Sequence, residues 1–256
     1  MKKKKILVFT GNRAEYGLQL PVINSLTKSK KIDCSVMVSG SHLDKKFGET
    51  ISQIKKDKLR IASKIKLKSI YNSNLQTPSL IGQAILKISK SIYKIKPDIF
   101  LINADRFETF AAAIASTQQS IPTFHIEGGD ITDGGTLDDT VRHAITKLSH
   151  IHFATNSQSY QNIISLGEEK WRVYDVGLPV NDLIYNEKFA DYETLLKKFK
   201  IDKNKTLLIL TQHAITTEPN LAKKQILITL KVIKYFIQNH NCQVIATYPN
   251  NDLGSN

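Results

Sequence analysis

Two cysteines, one tryptophan and two methionines in 256 residues leave little scope for sulfur chemistry. Cys34 and Cys242 can build neither a disulfide scaffold nor a zinc ribbon, and so sparse a thiol content fits a reducing cytosol. No apolar run approaches the roughly 18 residues that a membrane span requires. Nor is a secretory leader expected at the N-terminus. Lys2 to Lys5 could imitate its charged start, but Ile6–Leu7–Val8–Phe9–Thr10 stops at a glycine. A signal peptide needs about 7–15 apolar residues and a small-residue cleavage site. The segment reads as a buried first strand with a solvated lysine lead-in, and the expected location is cytoplasmic, away from any membrane.

Acidic residues are scarce in the first hundred positions, where 21 Lys+Arg face 6 Asp+Glu. The remainder holds 15 against 17, so the net charge of +13 is concentrated at the front. That excess is nearly all lysine scattered among isoleucines, as in Lys64–Ile65–Lys66–Leu67–Lys68. Arginine occurs only five times, at 13, 60, 106, 142 and 172. Nucleic-acid binders cluster Arg and Lys with stacking aromatics on one element. Neither that pattern nor a helix-turn-helix or zinc-finger spacing is present, so a solvated lysine surface is expected and no nucleic-acid partner.

What is present is ordinary globular composition, 41% hydrophobic and 23% charged. Apolar strand-length runs alternate with helical stretches. Strands are expected at Lys5–Thr10, Asp33–Ser39, Arg60–Leu67, Asp98–Asn103, Pro122–Ile126, Ile151–Thr155 and Arg172–Val176. Helices are expected at Tyr16–Ser29, Phe47–Lys56, Pro78–Lys94 (capped by Thr77 or Ser79), Glu108–Gln118, Asp138–Ser149 and Ser157–Leu166. Near-continuous apolar strands separated by helices imply a parallel sheet covered on both faces. Gly177–Tyr185 reads as a joint. Beyond it come a helix at Tyr192–Phe199, a strand at Thr206–Gln212, a helix at Leu221–Asn239 and a strand at Gln243–Tyr248. The expectation is an α/β chain with a first domain at 1–178 and a partial second domain at 179–256. Two strands are too few to bury an open sheet. Ile226, Leu230 and Ile233 should therefore be partly uncovered, and these 256 residues alone should be catalytically poor.

In open α/β sheets ligands bind at the carboxyl ends of the strands, so the residues just after each strand carry the information. After the first comes Gly11–Asn12–Arg13–Ala14–Glu15–Tyr16–Gly17. A glycine turn opening a helix offers backbone N–H groups to an anion, and Arg13 adds a bidentate donor. The alternative is a turn whose Arg13 pairs with Glu15. It matches neither GxGxxG nor a Walker loop, which lowers the case for nicotinamide cofactors and nucleotide hydrolysis. His42 follows the second strand and suits a solvated or capping role as well as a site. Asp105 precedes the alanine-rich helix, where a carboxylate is equally a helix cap. Glu127 leaves an apolar strand straight into Gly128–Gly129, a setting that desolvates a carboxyl and raises its pKa for acid/base work. Asp138 and Arg142 share a helical face at i, i+4 and can pair. His143, His150 and His152 raise the question of metal, but no HExxH-type spacing occurs, so no metal is expected. His213 follows the strand of the second domain.

The ordered stretches G-N-R-A-E-Y-G (11–17), G-S-H-L-D-K-K-F-G (40–48) and K-P-D-I-F-L-I-N-A-D-R-F-E (96–108) resemble a known family. So do H-I-E-G-G-D (125–130), L-D-D-T-V-R-H-A-I-T-K-L-S-H (137–150), Q-H-A-I-T-T (212–217) and Y-P-N-N-D-L-G-S (248–255). Together they resemble the hydrolysing UDP-N-acetylglucosamine 2-epimerases of sialic-acid-type sugar biosynthesis. The resemblance implies two Rossmann-like domains in a GT-B-like arrangement, the second incomplete here. It implies elimination of UDP to a glycal followed by hydration to N-acetylmannosamine, with no metal or nicotinamide. By motif, Asp105, Glu127 and Asp138 resemble the catalytic carboxylates and His213 the catalytic histidine. Arg142 would orient Asp138, Arg13 and Arg106 would face the diphosphate, and His42 would lie near the cleft. A nucleotide-sugar substrate and a homo-oligomer when full length are also implied. Ala104 stands where glycine usually precedes the aspartate, Ala214 replaces a common proline, and the loop at Thr132–Thr136 is about two residues longer than usual. Related nucleotide sugars, a non-catalytic binding module and a glycosyltransferase of similar architecture stay open.

Overall fold

The computed structural model describes residues 2–68, 70, 73, 75–132, 137–186, 189–215 and 218–249. Contacts divide the chain into two units, Met1–Leu183 and Ile184–Asn256. The first unit is built on seven strands: β1 Lys4–Thr10, β2 Ile32–Ser39, β3 Ile61–Ile65, β4 Ile99–Asn103, β5 Thr123–Ile126, β6 Ile151–Ala154 and β7 Val173–Asp175. Their order across the sheet is β3-β2-β1-β4-β5-β6-β7, and every pairing is parallel. This is the doubly wound order, and its direction reverses between β1 and β4, the point at whose carboxyl ends such sheets place their ligands.

The helices of this unit are α1 Arg13–Lys28, α2 Ile51–Lys56, α3 Gln76–Ile95, α4 Phe107–Thr117, α5 Leu137–Leu148 and α6 Ser157–Ser165. Strand alternation sends successive side chains to opposite faces, which makes two cores. Leu7, Phe9, Met37, Phe100 and Ile102 pack with Ala84, Ile88 and Ile92 of α3 and the alanines of α4. Ile6, Val8, Val36, Val38 and Leu101 pack on the other face with Tyr16 and Ile23 of α1 and Ile51 and Ile54 of α2. Apolar residues on both faces explain why the strands read as unbroken apolar runs.

Some boundaries move. The helix expected over Phe47–Lys56 is shorter, α2 at Ile51–Lys56, and two 3-10 turns, Gly40–Leu43 and Lys45–Phe47, precede it. Neither Thr77 nor Ser79 caps the long helix: Leu75 holds the N-cap position of α3 without a side-chain bond. The Gln76 N–H reaches Ser73 O at 2.9 Å instead, and Pro78 falls in the first turn, where a missing N–H costs nothing. Around the joint, α7 Asn181–Tyr185 is an added helix.

The second unit contains α8 Tyr192–Phe199, β8 Thr206–Leu210, α9 Ala222–Asn239 and β9 Cys242–Ala246. β8 and β9 pair in parallel from Thr206↔Cys242 to Leu210↔Ala246. Leu230 is exposed, and Ile226 and Ile233 are half-buried. Among the described residues no helix is long and apolar enough to cross a membrane. The extended loop at 133–136 and the motif ends at 216–217 and 250–255 lie outside the described residues.

Candidate active site

The ends of β1 and β2 meet α4, where Gly11 and Gly40 lie against Glu108. Asn12 caps α1, accepting from the Glu15 N–H at 3.0 Å. Glu15 turns back and its Oε2 accepts from the Gly11 N–H at 2.6 Å, while the Thr109 hydroxyl donates to Oε1 at 2.8 Å. Glu15 is therefore bound away from Arg13, which is exposed and makes no ion pair among the described residues. The alternative of an Arg13–Glu15 pair fails because burial at α4 captures the carboxyl first. His42 is fully buried: Nε2 lies 3.0 Å from Thr10 Oγ1 and Nδ1 2.8 Å from Thr50 Oγ1. Burial lowers its pKa to about 4. It is neither solvated nor a cap, and it braces the two strand ends from within.

The ends of β4 and β5 carry two residues in left-handed backbone conformation, Ala104 at φ 58° and Glu127 at φ 68°. Non-glycine residues rarely adopt this region, and such strain concentrates at functional sites. The two are tied together. The Ala104 N–H donates to Ile126 O at 3.0 Å, and His125 Nε2 donates to Ala104 O at 2.9 Å. His125 is fully buried and burial brings its pKa down to about 3, so the imidazole is neutral with its proton on Nε2. Asn103 Nδ2 donates to Glu127 Oε2 at 3.0 Å. Desolvation raises the Glu127 pKa from 4.5 to about 7, with Asp105 and Asp130 adding to the rise and Asn103 and Arg142 opposing it. A carboxyl with that pKa exchanges protons in both directions at neutral pH.

Arg142 of α5 spans the site. One Nη donates to the Asp105 carboxylate, and the other to Asp139 Oδ1 at 2.7 Å and Asp130 O at 2.8 Å. Asp105 does not cap α4; Arg106 occupies that position, and the aspartate is drawn to the guanidinium instead. Within α5, Arg142 is held by Asp139, three residues earlier. Asp139 also accepts from the Thr132 N–H and hydroxyl, which fixes the start of the helix. Asp138 is half-buried on the adjoining face. Arg106 is largely buried, its Nε 3.8 Å from Glu108 Oε2 and its guanidinium 5.9 Å from the Phe107 ring centre. His213 follows β8 in the second unit and is exposed.

The structure thus gathers Asp105, Glu127, Asp130 and Arg142 around the ends of β4 and β5. Sequence reasoning missed Asn103, His125, Asp130 and Asp139, although all stand within the motifs. His152 pairs with Glu168, which also holds Lys147 and Arg172 at 2.6 Å each. His150 precedes β6, and its Nδ1 accepts from the Thr123 N–H at 3.1 Å. Among the described residues no three His, Cys, Asp or Glu side chains gather as a metal site.

This chain is 35% identical to the UDP-N,N'-diacetylbacillosamine 2-epimerase (hydrolyzing) of Legionella pneumophila, over 98% of this chain and 65% of that protein. It is 28% identical to a UDP-N-acetylglucosamine 2-epimerase of Neisseria meningitidis, over 98% of this chain and 64% of that one. The chain therefore spans about two thirds of the length of these relatives. Among solved structures, a Neisseria meningitidis UDP-GlcNAc 2-epimerase bound to UDP-GlcNAc superposes with TM-score 0.77 at 21% identity, covering 98% and 67% of the two chains. The Methanocaldococcus jannaschii enzyme in complex with UDP-GlcNAc and UDP gives 0.72 at 19%, covering 96% and 66%. At such identities these likenesses bear on the fold, which is the two-domain α/β fold of these proteins. The family model described as UDP-N-acetylglucosamine 2-epimerase matches residues 24–256, and the chain belongs to that family.

Proposed function

We propose that the protein is a hydrolysing nucleotide-sugar 2-epimerase that converts UDP-N-acetylglucosamine to UDP and N-acetylmannosamine. The observation that carries this reading is Glu127, a strained, desolvated carboxyl whose pKa of about 7 suits transfer of a carbon-bound proton. In the proposed course one carboxyl removes the C2 proton as UDP leaves C1, giving 2-acetamidoglucal. Water then adds to the glycal, C2 is protonated from the opposite face, and the free sugar is released. Two opposed acid/base groups are needed, and Glu127 and Asp105 occupy neighbouring strand ends. Arg142 fixes Asp105, and Asp138 stands on the same helix as a third carboxylate. The C2 proton is only weakly acidic, so UDP departure does much of the work. Arg13 at the α1 N-terminus and Arg106 would receive the diphosphate, with His213 assisting. The working form in this reading is a homo-oligomer in the cytoplasm.

Turnover in deuterium oxide tests the reaction. An epimerase places deuterium at C2 of the released sugar, a glycosyltransferase leaves C2 untouched, and a binding module gives a thermal shift with no product. A second reading is supported by the relative at 35% identity, whose name specifies UDP-N,N'-diacetylbacillosamine. Measuring released nucleotide across a panel of nucleotide sugars decides between the two substrates.

A further inference from the structure

Beneath the turns that end β1 and β2 lies a second carboxyl pair, unused in the proposed chemistry. Glu15 and Glu108 are 3% and 1% exposed. The turns rest on them. A Cβ added at Gly40 would stand 2.6 Å from Glu108 Oε1 and 2.5 Å from Gly11 O, and one at Gly11 would stand 3.2 Å from Glu15 Oε2. The Gly11 N–H is already spent on Glu15 at 2.6 Å. Any change of charge in this pair is therefore transmitted to the turn that opens α1.

We propose that the diphosphate of a nucleotide sugar, held at the Gly11–Arg13 turn, strengthens Glu15's hold on its proton, so that near neutral pH anion binding draws a proton from solvent. This rests on the placement of the diphosphate given under the proposed function. Ionised Glu15 would put a second buried negative charge under an anion, with little solvent to screen it. Protonated Glu15 keeps both of its contacts: Oε2 still accepts from Gly11, and Oε1 donates to the Thr109 hydroxyl, which reverses its role. The groups facing Glu15 favour retention of the proton. From the start of α4 come Glu108, which opposes ionisation, and Arg106, which favours it more weakly. From the turn after β2, His42 is neutral and occupied by Thr10 and Thr50. On α1 itself Gln19 donates to Phe9 O at 3.0 Å, and Arg13 points to solvent. Burial, the largest influence, brings the Glu15 carboxyl from 4.5 to about 7.

Two measurements on the unmodified chain test this, with Glu15→Gln as the comparison. Carbon-13 spectra of glutamate carboxyls should contain two signals titrating near neutrality, from Glu127 and Glu15, of which Glu15→Gln removes one. Calorimetry with UDP-glucose, whose doubly esterified diphosphate has no group titrating between about pH 6 and 9, should show proton uptake in buffers of different ionisation enthalpy. Its Kd should rise about tenfold from pH 6 to pH 8.5, equivalent to a shift of about one unit in the carboxyl pKa on binding. In Glu15→Gln, whose amide donates to Thr109 as the protonated acid does, that dependence should vanish. Ordinary glutamate titration, or binding without proton uptake, overturns the proposal. If Glu15 titrates near neutrality but UDP-glucose is not held at any pH, the placement of the diphosphate is wrong and the linkage falls with it.

Discussion

Replacing Glu127 by Gln should abolish turnover while making the protein more stable at alkaline pH. The amide is isosteric, and its oxygen can still accept from Asn103 Nδ2, so the change isolates the carboxyl's charge. The folded-state pKa of about 7 lies above the ordinary 4.5. Glu127 therefore favours folding below pH 4.5, and that contribution disappears as pH rises through 7. Integrated from pH 5.5 to 8.5, the loss is about 2 kcal/mol for a fully desolvated group. Partial exposure to solvent reduces it to about 1 kcal/mol. Buried His42, His125 and His152 act in the opposite sense, since their lowered pKa values make folding less favourable below about pH 6.5. Only the difference between parent and variant is therefore informative. Urea unfolding followed by Trp171, the single tryptophan, reports on the unit that carries the site. The variant should match the parent at pH 5.5 and exceed it at pH 8.5, with no UDP released. Parallel pH profiles for the two proteins would refute the account of Glu127 as a desolvated carboxyl.

Three further outcomes follow from the same geometry. Ala104→Gly relieves a left-handed alanine at φ 58° and should raise stability by up to about 1 kcal/mol in the same urea assay. Gly129→Ala places a Cβ 2.3 Å from Ser159 O at a backbone φ of 85°, so it should cost about 3 kcal/mol or more and lower the thermal midpoint. Arg142→Lys cannot serve Asp105, Asp139 and Asp130 O together from one ammonium, and kcat for UDP release should fall about a hundredfold or more. Near-normal kcat there would remove the guanidinium from the positioning of Asp105.

The order of strands and helices is legible because buried parallel strands must be apolar on both faces, and β1, β2 and β4 have no other way to be covered. The strand-end motifs are legible for the related reason that glycine and charged residues at those points have no use in a core. The burial of charge is harder to read. Glu15 and Glu108 look like solvent-facing helix residues until α1 and α4 converge on the same strand ends. His42 reads as exposed because its two hydroxyl partners, Thr10 and Thr50, come from separate segments. Asp139 as a partner of Arg142 is hard to read because its other partner, Thr132, lies outside the helix. Resemblance marks Ala104 as unusual, but only the backbone angle gives the reason.

The contrast between the two sheets has a consequence on the timescale of amide exchange. Central β1 and β4 are sealed on both faces and flanked by paired neighbours, so their amide hydrogens should exchange only through opening of the whole first unit. In β8 and β9 most side chains are exposed or half-buried, and Ile209 is 70% exposed. Those ladder hydrogens are guarded by little apolar cover, so they should exchange through small local openings that leave the first sheet closed. The chain then carries two protection levels along one sequence, divided near Leu183.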